Sequence, residues 1–190
     1  MSRTLSIPAR PEPLPIEPAR TAVLVVDMQN AFASKGGYLD LFGVDVSGAP
    51  AVIARTREVL VASRQAGMTV VFLQMGWTPD QRDAGGESSP NWHKANALRL
   101  MRRRPELEGK LMIQGTWDYA LVDELKPEPE DLVIGKPRYS FPLWVADCSL
   151  ASGPPWLHDA TVENVQRFFG WVTTTQEYVG ALASTREETV

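Results

Sequence analysis

Cysteine and histidine are both scarce in this chain of 190 residues. Its single cysteine, Cys148, excludes an internal disulfide and any site built from several thiolates. The two histidines, His93 and His158, could add imidazole ligands, but a catalytic zinc site usually takes three protein ligands of the histidine, cysteine or carboxylate type. We therefore expect no dedicated transition-metal site.

Long apolar runs and an excess of basic charge are also missing. The apolar runs, such as Ala22 to Val26, are far shorter than the roughly 18 residues that a membrane span requires. Nineteen basic and 23 acidic side chains give a formal net charge of −4, which provides no general attraction to nucleic acid or to an anionic membrane. The first residues lack the basic start and apolar core of a secretory signal. We expect a cytoplasmic protein that binds neither nucleic acid nor membrane.

The composition is typical of a folded globular protein, with 44% hydrophobic and 22% charged residues. The length suits one domain. The first twenty residues are rich in proline, which disfavours helix and central-strand hydrogen bonding. We therefore predict that residues 1–20 form an extended arm on the surface and that residues 21–190 form a single domain. The prolines of this arm are Pro8, Pro11, Pro13, Pro15 and Pro18.

A strand, a helix and a second strand follow the arm. Residues 21–26 form a short β-branched run without alternation, which is typical of a strand buried on both faces of a parallel sheet. Apolar residues recur at helical spacing over 50–66, with Pro50 at the start and Gly67 just past the end. A second apolar run covers residues 68–73. This order predicts an α/β fold with parallel strands.

The pattern continues less regularly over the next sixty residues. Residues 74–92 contain several glycines and prolines and predict a long loop, which at this length is often functional. Helices are predicted over 92–103, before Pro105, and over 117–125. A third strand is predicted over 131–134.

Two of the predicted strands have a charged side chain at the carboxyl end. Asp27 follows the first strand and Lys136 follows the third. Ligands of parallel α/β sheets bind outside this edge, so the two residues could share one cleft. A carboxylate and an ammonium in one cleft can divide the roles of base and electrostatic stabiliser between them. The residues alone leave a second interpretation open, in which both charges simply face water.

Several segments match one known family in the same order along the chain. They are Val25–Phe32, Gly36–Asp40, Gln74–Trp77, Ser89–Leu98, Gly115–Tyr119, Lys136–Ser140 and Phe168–Val172. In these segments the chain closely resembles the isochorismatase-like cysteine hydrolases. The resemblance implies a three-layer αβα fold with a mainly parallel, Rossmann-like sheet. It also implies hydrolysis of a linear amide or ureido C–N bond, with no cofactor and no obligatory metal.

The resemblance further implies a catalytic triad of aspartate, lysine and cysteine. Asp27 matches the aspartate and Lys136 matches the lysine. In such enzymes the cysteine attacks the carbonyl to form an acyl-enzyme, the aspartate takes and returns protons, and the lysine balances the local charge. A free thiol is mostly protonated at neutral pH and needs a base or a cation beside it, which agrees with this division of roles.

The chain departs from the family pattern after Ser140. Only 21 residues separate Ser140 from Val162, whereas a strand, a helix and a returning strand need on the order of 30 or more. We therefore expect a sheet that is incomplete in its second half, with an irregular segment over 141–161. Cys148 lies 12 positions after Lys136 and lacks the family's turn before its cysteine. It either replaces the nucleophile or is a small apolar filler or a loop thiol.

Residues near the predicted carboxyl edge are candidates for contact with the substrate. Gln29 and Asn30 closely follow Asp27 and could instead orient it by hydrogen bonds or simply form a turn, and the aromatic candidates could be buried packing. The candidates are Gln29, Asn30, Trp77, Asn91, Trp92 and Tyr139. Two functions stay open: a cysteine amidohydrolase acting on a small amide or ureido substrate, or a truncated and inactive remnant. The partner implied is a small amide or ureido substrate, and a homo-oligomer is a possible assembly.

Overall fold

The computed structural model of the protein describes residues 4–137, 144–145, 155–166 and 172–183, and its first element is a β-hairpin. Strand β1 (Leu5–Ile7) pairs in antiparallel fashion with β2 (Leu14–Ile16). Proline is tolerated here because both strands of this two-stranded ribbon are edge strands among the described residues. Leu5 and Ile7 are buried in a cluster with Val59 and Tyr178. The proline-rich arm is therefore extended and is also attached to the domain by buried side chains.

A parallel sheet of three strands forms the centre of the described fold, in the order β3, β4, β5. The strands are β3 (Ala22–Val26), β4 (Thr69–Met75) and β5 (Leu132–Lys136). Helix α3 (Ala49–Gln65) precedes β4 and is followed by Gly67, whose φ of +77° suits glycine. These four elements lie within two residues of their predicted bounds. The α/β class is confirmed.

The sheet is covered unevenly. On one face, Val25 and Phe72 pack with Ile53 and Leu60 of α3. The edge strand β5 is exposed on both faces: Leu132, Val133 and Ile134 are 51%, 49% and 48% exposed. Leu24 is 43% exposed, so the prediction that the first strand is buried on both faces is wrong for this side chain in the part of the chain that the structure describes.

The segment from residue 90 to 125 differs most from its predicted secondary structure. The helix predicted over 92–103 is two helices, α4 (Pro90–Lys94) and α5 (Asn96–Arg103), separated at Ala95 by an extended backbone with ψ of 110°. The helix predicted over 117–125 is absent apart from a single 3₁₀ turn at Asp123–Leu125.

The missing helix has a physical cause in tertiary hydrogen bonding. The backbone N–H groups of Asn30 and Ala31 donate to the carbonyls of Ala120 and Asp118, at 2.9 and 2.8 Å. The side-chain amide of Asn30 donates to the carbonyl of Trp117 at 3.0 Å. Carbonyls that would accept bonds within a helix are therefore bonded to another part of the chain instead.

Short elements complete the described structure. Two single-turn helices, α1 (Asn30–Ala33) and α2 (Tyr38–Leu41), lie between β3 and α3. The C-terminal part contains β6 (Trp144–Val145), α6 (Pro155–Asn164), β7 (Val172–Thr173) and α7 (Thr175–Ala183), with β6 and β7 parallel. The segment predicted as irregular over 141–161 is therefore helical from Pro155 onward. In the parts of the chain described above, no helix is long and apolar enough to cross a membrane.

Candidate active site

Asp27 and Lys136 meet at the carboxyl edge of the sheet. Asp27 directly follows β3, Lys136 is the last residue of β5, and β4 lies between the two strands. The Nζ atom of Lys136 is 2.8 Å from Oδ1 and 2.9 Å from Oδ2 of Asp27. Their side chains are only 16% and 20% exposed. The parallel sheet thus joins two charged groups that are 109 positions apart in the chain.

The surroundings of Asp27 make it a better proton acceptor than an exposed aspartate. Burial raises the pKa of its carboxyl above the ordinary value, while Lys136 and the backbone of Met75 act in the opposite direction. A carboxylate with a raised pKa is a stronger proton acceptor than an exposed one, which suits the role of a general base. The backbone of Asp27 is left-handed, with φ of +58°, a conformation that aspartate tolerates better than most residues.

Gln29 and Asn30 lie just beyond Asp27, and their side chains bond to backbone groups. Gln29 is fully buried, and its carboxamide hydrogen-bonds to the backbone of Met75 and Tyr119. The amide of Asn30 donates to the Trp117 carbonyl, and its Oδ1 accepts a bond from a serine hydroxyl. At both positions the side chain that was predicted to contact substrate holds neighbouring loops in the structure.

The other predicted contact residues lie at different depths. Trp77 is fully buried in the apolar core, and its indole nitrogen has no hydrogen-bond partner within the described residues. The Asn91 amide donates to the Ala84 carbonyl at 2.9 Å. Trp92 is half-buried beneath the Arg102 guanidinium, whose central carbon lies 4.2 Å from the ring centroid. The guanidinium also donates to the Trp92 carbonyl at 2.7 Å.

Two predicted site residues, Tyr139 and Cys148, lie outside the described residues. The structure therefore brings together two members of the expected triad, Asp27 and Lys136. Within the described ranges, no group of three or more histidine, cysteine, aspartate or glutamate side chains is arranged to hold a metal ion.

Sequence reasoning missed two residues that shape this edge. Asp118 is buried and accepts the backbone N–H groups of Tyr38 and Met112, at 2.8 and 2.7 Å, and burial raises its pKa. Tyr119 packs its ring against Gly76, where an added Cβ would lie 2.5 Å from the ring, and its hydroxyl lies beside Gly135. Their only signal in the sequence is their place in the Gly115–Tyr119 segment that matches the family.

The fold and this edge define a hydrolase of the isochorismatase type, and comparison with known proteins identifies the family. The Isochorismatase domain matches residues 21–142, more than half of the chain, so the chain belongs to the isochorismatase family. Ureidoacrylate amidohydrolase RutB of Agrobacterium fabrum is 42% identical over 221 aligned positions, covering 94% of this chain and 97% of the relative. Its namesake from Azorhizobium caulinodans is 43% identical over 219 positions, covering 93% and 96%.

Solved structures show the same fold. A cysteine hydrolase from Pseudomonas syringae pv. phaseolicola 1448A matches with a TM-score of 0.70 at 20% identity, covering 97% of this chain and 99% of that chain. An isochorismatase family protein from Burkholderia thailandensis matches with a TM-score of 0.62 at 15% identity, covering 94% and 100%. At these identities the likeness concerns the fold alone.

The alignments also contain positions that this chain does not fill. Since 94% of 190 residues is about 179, about 42 of the 221 positions aligned with the Agrobacterium relative have no residue from this chain. For the Azorhizobium relative, 93% is about 177 residues, which again leaves about 42 of 219 positions. Relatives of this chain therefore carry about 42 residues that it lacks.

Proposed function

We propose that this chain hydrolyses the C–N bond of a small linear amide, with ureidoacrylate as the first substrate to test. The observation that carries the proposal is the Asp27–Lys136 ion pair at the carboxyl edge of the sheet. Two relatives that cover nearly the whole chain at 42% and 43% identity are named ureidoacrylate amidohydrolases, which supports the substrate class. We propose the cytoplasm as the site of the reaction.

The chemistry assigns one step to each polar group. Asp27 takes the proton of a thiol, and the sulfur attacks the amide carbon to form a carbon–sulfur bond. The C–N bond then breaks, and the nitrogen leaves as an amine with the proton that Asp27 returns. Water hydrolyses the thioester, while Lys136 offsets the negative charge beside it. Cys148 is the only thiol in the sequence, so the proposal requires it as the nucleophile.

Mass spectrometry of the intact protein tests this assignment directly. Incubation with ureidoacrylate or a thiol-directed acylating inhibitor is expected to add one acyl group at Cys148, and ammonia or amine release is expected to follow. Cys148→Ala is expected to abolish both signals, whereas Asp27→Asn is expected to slow acylation. An unmodified Cys148 with no product release would contradict the proposal for this chain.

A second candidate function is a non-catalytic remnant that acts as a subunit or binding partner. Two observations favour it: the chain lacks about 42 positions that its relatives fill, and the family match ends at residue 142. The exposed apolar side chains of β3 and β5 also fit the loss of a covering layer, since such surfaces favour self-association.

Self-association and product release, measured on the same preparation, separate the two candidates. A remnant is expected to self-associate or to assemble with an intact family member in analytical ultracentrifugation, and to release no product. A monomer that unfolds cooperatively on heating, with no tendency to self-associate, would count against the remnant.

A further inference from the structure

We call the pair of backbone hydrogen bonds that one residue of a strand makes to its neighbouring strand a rung. Beyond the end of β3, one residue of β4 has no strand partner for its rung on that side. The last residues of the pairing are Val26 and Leu73, and the Asp27 N–H still donates to the Leu73 carbonyl at 2.9 Å. Asp27 then turns the chain away through its left-handed backbone. Backbone groups of alternate residues in a strand point to the same neighbour, so those of Met75 point to the place that β3 has vacated.

The carboxamide of Gln29 fills this place. Its Oε1 accepts the Met75 N–H at 2.7 Å, and its Nε2 donates to the Met75 carbonyl at 3.0 Å. Together these bonds copy the rung that a continuing strand would make. The second Nε2 hydrogen is directed to the Tyr119 carbonyl, at 2.7 Å. Both donors of this buried amide are therefore satisfied, as a rigid connection requires.

This rung connects the two halves of the ion pair. On one side, the Gln29 N–H donates to the Asp27 carbonyl at 2.8 Å. On the other side, Met75 is in register with Lys136 of β5. We propose that Gln29 is a positioning residue that extends the sheet by one rung and thereby holds Asp27 and Lys136 at contact distance. Its value for turnover rests on the proposed function, but its effect on the ion pair does not.

Gln74 provides a matched control on the same strand. Its Nε2 also donates to the Tyr119 carbonyl, at 3.0 Å, and it is buried like Gln29. Gln74 is in register with Gly135, whereas Met75 is in register with Lys136, so its side chain lies on the opposite face of the sheet from that of Lys136. Loss of Gln74 removes an anchor of the Tyr119 loop and leaves the Met75 rung in place.

The test measures how strongly Lys136 influences Asp27 in each background. The pKa of the Asp27 carboxyl is followed by carbon-13 NMR, with and without Lys136→Met, in the wild-type, Gln29→Leu and Gln74→Leu proteins. In the wild type, removal of the ammonium is expected to raise this pKa. In Gln29→Leu we expect the rise to shrink to about half or less, because the two groups have separated. In Gln74→Leu we expect the wild-type rise.

Each outcome supports or overturns the inference without any measurement of activity. If Lys136→Met raises the Asp27 pKa as much in Gln29→Leu as in the wild type, Gln29 has no special part in the pairing. The same conclusion follows if this pKa rise shrinks equally in Gln29→Leu and Gln74→Leu. If Gln29→Leu does not unfold cooperatively, Gln29→Met replaces it, since methionine keeps a long unbranched side chain, stays neutral and loses both donors. A chain that releases no product from ureidoacrylate would refute the proposed function and leave this result unchanged.

Discussion

Replacing Lys136 with methionine tests the electrostatics on which the site depends. Methionine keeps an unbranched apolar chain, so the main loss is the ammonium 2.8 Å from the Asp27 carboxylate. Removing one partner of a fully buried pair costs about 3–5 kcal/mol, whereas exposed pairs contribute about 0–1 kcal/mol. With side chains 16% and 20% exposed, this pair lies between those limits. We expect Lys136→Met to lower the free energy of unfolding by about 1–3 kcal/mol at neutral pH.

The cost has a predictable dependence on pH. The pKa of Asp27 is already raised by burial, and loss of the cation raises it further. At pH values between the pKa of Asp27 in the unfolded chain and its raised pKa in the folded variant, the native state binds more protons than the unfolded state does. The free energy of unfolding of the variant therefore falls as pH rises through this range. The difference between variant and wild type is therefore largest above the raised pKa. It narrows toward acidic pH, where Asp27 is protonated in both proteins.

Urea denaturation near neutral pH and near the ordinary aspartate pKa measures both effects. Lys126→Met is the matched control, because Lys126 pairs with Asp123 at 2.9 Å with side chains 72% and 87% exposed. It is expected to change stability by about 0.5 kcal/mol or less. Equal effects of the two substitutions, or a cost for Lys136→Met that does not decrease in acid, would refute the reasoning.

Three further predictions concern the same edge of the sheet. Asp27→Asn is expected to lower turnover of ureidoacrylate about 100-fold or more, as measured by ammonia release, because asparagine cannot act as the base. The chain is expected to stay folded, because asparagine tolerates the left-handed backbone at this position. Gly76→Ala is expected to lower the free energy of unfolding by about 1–3 kcal/mol in urea denaturation, because its Cβ would clash with backbone atoms and a tyrosine ring. Gly86→Ala is the control and is expected to have almost no effect, because there is open space around its Cβ. Asp118→Asn is expected to cost about 1–3 kcal/mol, because an amide has one acceptor oxygen for two buried N–H donors, and wild-type stability in the same assay would contradict that role.

The ion pair could be predicted because it depends on a local pattern and a general rule of topology. Each of Asp27 and Lys136 ends an apolar, β-branched run, and parallel strands present their carboxyl ends at one edge. The position of Gln29, two residues after Asp27, predicts that it could orient the aspartate, but the contacts of Gln29 and Asp118 could not be predicted this way. Their partners are backbone groups that lie up to 90 positions away, and hydropathy contains no information about such contacts.

The helix predicted over 117–125 is a second case in which contacts with distant residues decide the local structure. Its local pattern is helical, but residues 117–120 give their carbonyls to Gln29, Asn30 and Ala31. Helix propensity is a weak preference that such tertiary bonds override.

Local chemistry along the chain was sufficient to determine the α/β class, the three parallel strands and the two charged residues at their ends, since each follows from side-chain periodicity over a few neighbours. Tertiary structure alone decided that these charges touch, that a glutamine amide bonds to Met75 where β3 has ended, and that apolar side chains of β3 and β5 are exposed among the described residues. Those features depend on which distant backbone groups find partners and which do not, and only the folded chain determines that.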